Sequence, residues 1–522
     1  MNPKFHKILF LLLLITVVSG CHLFHKPPVD PEGEGEAPEE GEAPTEGETP
    51  TEGEAPEEGE PLFTSADVGG FYNDRDEEID AEPPTEDEGG DEERALVEPD
   101  IIHRAGGFLY ILNQYRGLSI VDLDTETLLS QTPTQGYPRD LYLVGDYAYV
   151  LVSYAQEIDW AEGLLSVSYG SRIYVFNIAD PVNVYSAGVF AIDGDLVDSR
   201  MVGDVIYAVC SDYTWYDCCE DTDGVVRPDA ASKWYGQTWA LSLNIANPSD
   251  IRIVDTLAIP GYGNLIQATN YAIFSVSQDY NTGDSVITYI DIADPSGVIV
   301  ARGTTRAPGY MADRFKMNAW NGVLRVVTNT WWPSRDTYVT TYDLGAPDTL
   351  ARLGQTRLEN ATGETAFATR FDGPLAYIVT YLQVDPLFVV DLSDPTNPTV
   401  RGELKIPGWS THIEPFGDRL VALGVDDEDG GRRVGVSLFD VSDPDNPQRI
   451  AYVRFGDSWA WSTAYGDIKA FTVLEDVILV PFSGWNHGYG GYDRLQFVSH
   501  TRDTLELKGY VDLQGGAVRS FA

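Results

Sequence analysis

From about Glu98 onward, short runs of Tyr, Val, Ile, Leu and Phe alternate with polar residues and are broken every few positions by Gly, Asp, Asn or Pro. Alternation with a period of two marks half-buried strands, and the breakers are turn formers. No stretch carries the apolar spacing of an amphipathic helix over four turns, so almost no helix is expected.

The alternation is itself periodic. Asn177-Ile178-Ala179-Asp180-Pro181, Asn244-Ile245-Ala246-Asn247-Pro248, Asp291-Ile292-Ala293-Asp294-Pro295, Asp391-Leu392-Ser393-Asp394-Pro395 and Asp440-Val441-Ser442-Asp443-Pro444 are variants of one phrase, with Asp343-Leu344-Gly345-Ala346-Pro347 a degenerate sixth. Successive prolines lie 67, 47, 52, 48 and 49 positions apart, and the long first interval holds an insertion. In each copy the Asp or Asn side chain is suited to bond the turn backbone and Pro presets the dihedral before the next strand. A second recurrent hairpin, with a Gly-centred turn, lies between phrases at Leu141 to Leu151, Met201 to Cys210, Phe371 to Thr380 and Phe416 to Leu423. Two hairpins per unit of about 50 residues make a four-stranded sheet, which buries both faces only when stacked against its neighbours. Units beginning near Asp100, Asp140, Val197, Leu265, Ala312, Ala366, Thr411 and Thr463 predict an all-β fold: a β-propeller of eight four-stranded blades, with seven the alternative. An open solenoid is the competing architecture, though its repeats are typically shorter.

Composition divides the chain further. Residues 22 to 100 hold 29 acidic and 3 basic side chains, a net −26, while the segment after residue 100 is near −24. Such a field repels phosphate backbones, so no nucleic-acid partner is expected; it attracts cations and basic partners. From Ala37 to Glu60 a six-residue Pro/Glu/Gly unit recurs four times without a residue able to build a core. It is expected to be a disordered, self-repelling spacer, reaching up to about 100 Å if fully stretched. Calcium bridging by its glutamates is the alternative use; no other cofactor is evident.

Met1 to Lys7 carries Lys4 and Lys7, Ile8 to Val18 is an apolar run of signal-peptide length, and Ser19-Gly20 places small residues before Cys21. The run is short for a membrane span. Val18-Ser19-Gly20-Cys21 resembles the bacterial lipobox, which implies cleavage before Cys21 and diacylglycerol on its sulfur; an ordinary secretory signal is the alternative. His22 after the cysteine, where such lipoproteins are concerned, implies the outer membrane or cell surface. The expected organisation is a lipoprotein signal peptide at 1–21, an acidic disordered linker at 22–94 and a propeller at 95–522, held in the cell envelope by its lipid anchor.

Asp385-Pro386-Leu387-Phe388-Val389-Val390-Asp391-Leu392-Ser393-Asp394-Pro395, then Gly402 to Gly408 and Ser437 to Pro444, closely resemble a prokaryotic family of secreted proteins with a C-terminal β-propeller domain. Tyr465-Gly466-Asp467-Ile468-Lys469-Ala470-Phe471 stands where that family reads Asp-His-Lys-Ala-Phe, with Ile468 in place of the histidine, and Ala95 to Ile102 looks like its leading segment. The resemblance covers about 95 to 522 and implies fold and an extracytoplasmic life, with no established activity. Family members continue past the match to Val518-Arg519-Ser520-Phe521 with another hairpin, whereas the sequence stops at Ala522, which leaves ring closure open between the two blade numbers.

Chemistry is sparse. There are seven histidines, four of them before residue 104, and no pair at metal-ligand spacing; no nucleophile elbow or phosphate loop occurs. Carboxylates are too numerous for a glycosidase pair to be picked from spacing. Cys210, Cys218 and Cys219 are an odd set in an oxidising compartment, and a bridge from Cys210 to Cys218 or Cys219 is expected. Asp217, Glu220, Asp221 and Asp223 are the weak candidates for a metal, at spacing that is not an EF-hand's. Trp215, Tyr216, Trp234, Trp331, Trp332, Trp409, Trp459, Trp461, Trp485 and His487 are candidate ligand-binding residues, against the default that any single tryptophan packs between blades. Two functions stay open: a surface binding or scaffold module for an extracellular protein or glycan, and a hydrolase or lyase acting on extracellular polysaccharide.

Overall fold

The computed structural model describes residues 96–97, 99–161, 164–214, 235–259, 263–381, 386–405, 409–427, 430–486 and 490–513. Cys21 and the acidic linker lie outside the described residues. Eight antiparallel sheets follow one another along the chain, six of four strands and two with one short strand added. Their first and last strands are Ile102–Ala105 and Thr127–Thr132 in blade 1, Tyr137–Val144 and Tyr185–Ile192 in blade 2, and Asp195–Val202 and Arg252–Ile259 in blade 3. Blades 4 to 6 run from Gly263–Ala268 to Val300–Ala307, Met317–Trp320 to Arg352–Arg357, and Thr365–Asp372 to Thr399–Lys405. Trp409–Phe416 to Gln448–Phe455 is blade 7, and Trp459–Trp461 to Leu505–Leu513 is blade 8. The protein is an eight-bladed β-propeller, and the helical turns among the described residues are three-residue 3-10 segments.

Equivalence of the blades shows in a detail. In all eight, the ladder between third and fourth strands shifts register, as between Val389/Val390 and Leu438/Phe439. A bulge at a fixed place bends its strand and increases the local twist.

The repeated phrase is the address by which one blade finds the next. Its first Asp accepts the amide two residues on, as Asp391 Oδ1 does from Ser393 N at 2.9 Å, and Asp394 does the same for Thr396 at 3.0 Å. Its second residue is buried in every copy, from Ile178 to Val441. The preceding blade then reads the turn: Tyr149 Oη donates to Ile245 O at 3.1 Å, and Gly303 N donates to Pro347 O at 2.8 Å. Arg302 and Arg401, each one residue before a glycine of the outer strand, fork onto Asp348 (2.7 and 3.1 Å) and Asp445 (2.7 and 2.9 Å) of the following blade. Bidentate geometry of this kind is the specific form of the ion pair.

The fourth strands are half exposed, whereas Arg419–Asp426, the second strand of blade 7, is buried throughout. The first strands surround the axis. Leu96–Val97 pairs with the free edge of Asp195–Val202 in blade 3, Asp100 bridges Leu141 in blade 2, and the chain then enters blade 1. The leading segment therefore crosses the inner edges of two blades. Lys469 of blade 8 donates to Pro99 O at 2.7 Å and lies 3.6 Å from Asp100, so the last blade meets this segment and the ring is closed by side-chain contact.

Candidate functional site

Strand direction alternates, so turns after first and third strands fall on one rim and connections after second and fourth strands on the other. Every phrase lies on the first, the turn rim. The second is the loop rim. There the second and third strands of blade 2 extend as a hairpin of 15 and 14 residues, Tyr147–Ala161 and Leu164–Asn177, which has no counterpart in the sequence reading.

The described candidate aromatics all belong to the loop rim. Trp331 and Trp332 follow the second strand of blade 5 and are 56 % and 87 % exposed. Trp459, Trp461 and Trp485 of blade 8 are 48 %, 41 % and 53 % exposed, and Trp459 pairs with Trp485 across the ladder. The default of packing between blades is thus overturned for these five; among the described residues Trp239 packs against the core of blade 3 and Trp320 lies beneath Arg325. Trp409 opens the first strand of blade 7 at the same rim. Trp215, Tyr216, Trp234 and His487 lie outside the described residues, as do Cys218, Cys219, Asp217, Glu220, Asp221 and Asp223.

Two of the exposed rings are held from behind. Trp331 stacks on Tyr310 at 5.4 Å and 12°, and the Arg335 guanidinium lies 4.3 Å from the same ring. Their loop is tied down by Asp336, which is buried and accepts from Ser334, from Thr362 Oγ1 at 3.2 Å and from Arg357 at 3.4 Å. Trp461 meets the edge of Tyr465 at 4.9 Å, and Arg432 lies 4.5 Å from its ring centre. Arg432 also joins blades, its amide donating to Ser458 O at 3.0 Å and its carbonyl accepting from Ala460 N at 2.6 Å. A tryptophan held against a neighbouring arginine and tyrosine offers an amphipathic surface with less entropy to lose on binding than a free side chain has.

The axis is polar and carries charges the sequence reading missed. In blades 2 and 3, Ser199 donates to Asp140 and Tyr142 Oη lies 2.8 Å from Ser199 Oγ, while Arg200, fully buried, donates to Asp198 at 2.5 Å. Burial, with the Asp140 charge, raises the Tyr142 phenol well above its ordinary value. In blades 6 and 7, Arg370 donates to Glu414 at 3.1 Å and His412 Nε2 lies 3.3 Å from the other oxygen. Burial raises the Glu414 carboxyl, but the His412 bond and the Arg370 charge outweigh it and hold the group below the usual range. Such a carboxylate stays ionised and is a poor proton donor at neutral pH.

Cys210 stands within the second strand of blade 3, fully buried among Ile206, Leu241 and their neighbours, and its thiol is free. Burial, then the charges of Asp195 and Asp193, push it up to about 12. Among the described residues no group of three His, Cys, Asp or Glu side chains comes together to hold a metal.

A family model described as a beta propeller domain matches residues 92–515. An uncharacterized protein of Archaeoglobus fulgidus is 40 % identical over 223 residues, covering 42 % of this chain and 34 % of that protein. One of Methanocaldococcus jannaschii is 39 % identical over 190 residues, 35 % and 29 % of the two chains. The matches span about a third of the length of these curated relatives. Among solved structures, the chain is similar to the computationally designed Ika8 protein (TM-score 0.41, 8 % identity, 78 % of this chain and 96 % of that). It is also similar to Kluyveromyces lactis Hsv2 (TM-score 0.36, 10 % identity, 69 % and 99 %).

Proposed function

The chain belongs to the beta propeller domain family, and from that premise we propose that it is an envelope-tethered binding module whose loop rim holds an extracellular protein or glycan. The carrying observation is the pair of arginine-backed tryptophans, Trp331 with Arg335 and Trp461 with Arg432, on one rim beside the open rings of Trp332, Trp459 and Trp485. Tryptophan, tyrosine and arginine are the residues that dominate interface energetics, and exposed indole faces also stack on sugar rings. The opposite rim is spent on joining blades, since its Asp and Pro residues already bond within turns and across blade junctions.

In this proposal Cys21 carries the lipid and the acidic linker lifts the ring from the membrane. The test uses the full chain made soluble by Cys21→Ser, applied to an array of bacterial and archaeal surface polysaccharides and, separately, to immobilised envelope proteins. Binding in either arm that falls at least tenfold in a Trp331→Ala/Trp461→Ala double variant supports the rim, because each lost hot spot is worth about 2 kcal/mol or more. Binding that is indifferent to both substitutions excludes it.

A further inference from the structure

Every junction from blades 1 and 2 round to blades 7 and 8 is filled by its own apolar cluster, and among the described residues no such cluster joins blade 8 to blade 1. Toward blade 7 the sheet of blade 8 is packed, with Ala460, Val480 and Phe482 in the shared core. Side chains alternate along a strand, so Trp459 and Trp485 project from the opposite face. They stand directly across the ladder from each other, and both are half exposed. At the loop rim this face of blade 8 is open.

The third strand of the blade, Gly490–His500, keeps the surface clear and adds a polar group beside it. Gly491 pairs with Trp485, and a Cβ built at Gly491 meets the six-membered ring of that indole at 3.5 and 3.6 Å. The ring therefore lies over a position where no side chain stands. One step along the same face, Ser483 is opposite Asp493 and donates its hydroxyl to that carboxylate. A carboxylate offers about four acceptor positions, so this bond leaves Asp493 able to accept more. Arg494, the next residue, projects from the other face, where it lies against Tyr492 and donates to Asp512 at 2.7 Å. Arg432 stands against Trp461, at the edge of the platform.

We propose that this platform on blade 8 binds a neutral polysaccharide, with one sugar ring stacked on Trp485, its neighbour toward Trp459, and hydroxyls donating to Asp493. Indoles beside an acceptor match the two characters of a sugar: its C–H groups lie against the negative face of the ring, and its hydroxyls donate to a carboxylate. Charge decides between neutral and acidic polymers. A chain of net charge −48 repels polyanions, and the carboxylate at the platform adds to that repulsion. The inference rests on the reading of the loop rim as a binding surface and gives that surface a ligand class and a place in the ring.

The test is affinity electrophoresis of the full chain carrying Cys21→Ser through gels that contain a soluble glucan, mannan or galactan, with alginate and polygalacturonate as the polyanions. The expected result is retardation by at least one neutral polymer and by neither polyanion. Trp485→Ala weakens the apparent affinity about tenfold or more, as the loss of an aromatic hot spot does. Asp493→Ala weakens it about fivefold, the worth of one hydrogen bond. Should Trp485→Ala fold poorly, Gly491→Val reports instead, because its branched methyls displace the indole, and a loss in the same direction is expected. Retardation that the Trp331→Ala/Trp461→Ala double variant abolishes and Trp485→Ala leaves intact overturns this site while the loop rim stands; retardation unchanged in all of these proteins overturns both. Retardation by no neutral polymer, or by the polyanions alone, also overturns the proposal.

Discussion

Gly402→Ala tests the junction between blades 6 and 7 with a single methyl group. Gly402 lies on the outer strand of blade 6 with ordinary backbone dihedrals, so the substitution adds no backbone strain of its own. A Cβ built there falls 2.5 Å from Pro447 Cδ and closer still to Pro444 O, both in the turn of blade 7. Real Cβ contacts are about an ångström longer, so the two blades must separate or the turn must bend. Overpacking of this kind costs about 1–3 kcal/mol; with backbone on one side and a proline ring on the other, the upper end is expected. Withdrawal also lengthens the Arg401–Asp445 fork, which sits one residue away. At roughly 1 °C per kcal/mol for a domain of this size, the thermal midpoint drops by about 2–3 °C. Gly466→Ala is the control: its Cβ meets nothing within 4 Å, and a change within about 0.5 kcal/mol is expected. Adding Pro447→Ala to Gly402→Ala removes the ring and leaves the carbonyl, so only part of the loss returns. Urea and thermal unfolding of the four proteins decide the matter. A Gly402→Ala protein as stable as its parent refutes the idea that the phrase is read by close approach of the neighbouring glycine.

The Asp445 carboxyl is held below its usual range by its hydrogen bonds and charge contact with Arg401, so its contribution is present above the unfolded value near 4 and is lost as pH falls through the lower folded value. Asp445→Asn is therefore less stable than the parent at pH 7 and converges with it as acid protonates the paired carboxyl; a gap that does not shrink as the pH is lowered contradicts the pairing. Cys210 should resist iodoacetamide in the native protein and react only on unfolding, because its thiol is fully buried and raised to about 12; rapid labelling of Cys210, located by mass spectrometry, shows the strand opening. Cys21→Ser is expected to abolish palmitate labelling and release the protein from the membrane fraction, since the thioether requires that sulfur; persistent labelling sinks the lipid anchor.

The fold was legible where local chemistry repeats. The Asp-x-x-Asp-Pro turns bond within themselves, so their period could be read directly, and the eight predicted unit starts fall within a few residues of the first strands observed. What escaped depends on closure of the ring. Leu96–Val97 pairs with Val202 and Met201 more than a hundred positions away, and two residues are too few to show a strand pattern. Gln267, Arg314 and Arg370 each look like a solitary polar residue in or beside an apolar strand; only the stacking of three blades brings them to one cleft. The tryptophans were visible as loop residues. Their common rim follows from counting strands within each unit, and their exposure could not be read because Trp239, which packs, and Trp485, which is exposed, both lie in strands and differ only in what the neighbouring blade brings against them.

The most direct test of binding at the loop rim is photo-crosslinking in intact producing cells, with a benzophenone amino acid at Trp332 on the loop rim or at Thr396 on the turn rim of the full lipidated chain. Docking at the loop rim predicts discrete high-mass adducts from position 332 and none from position 396. Adducts from 396 alone, or equal yields from both, contradict it.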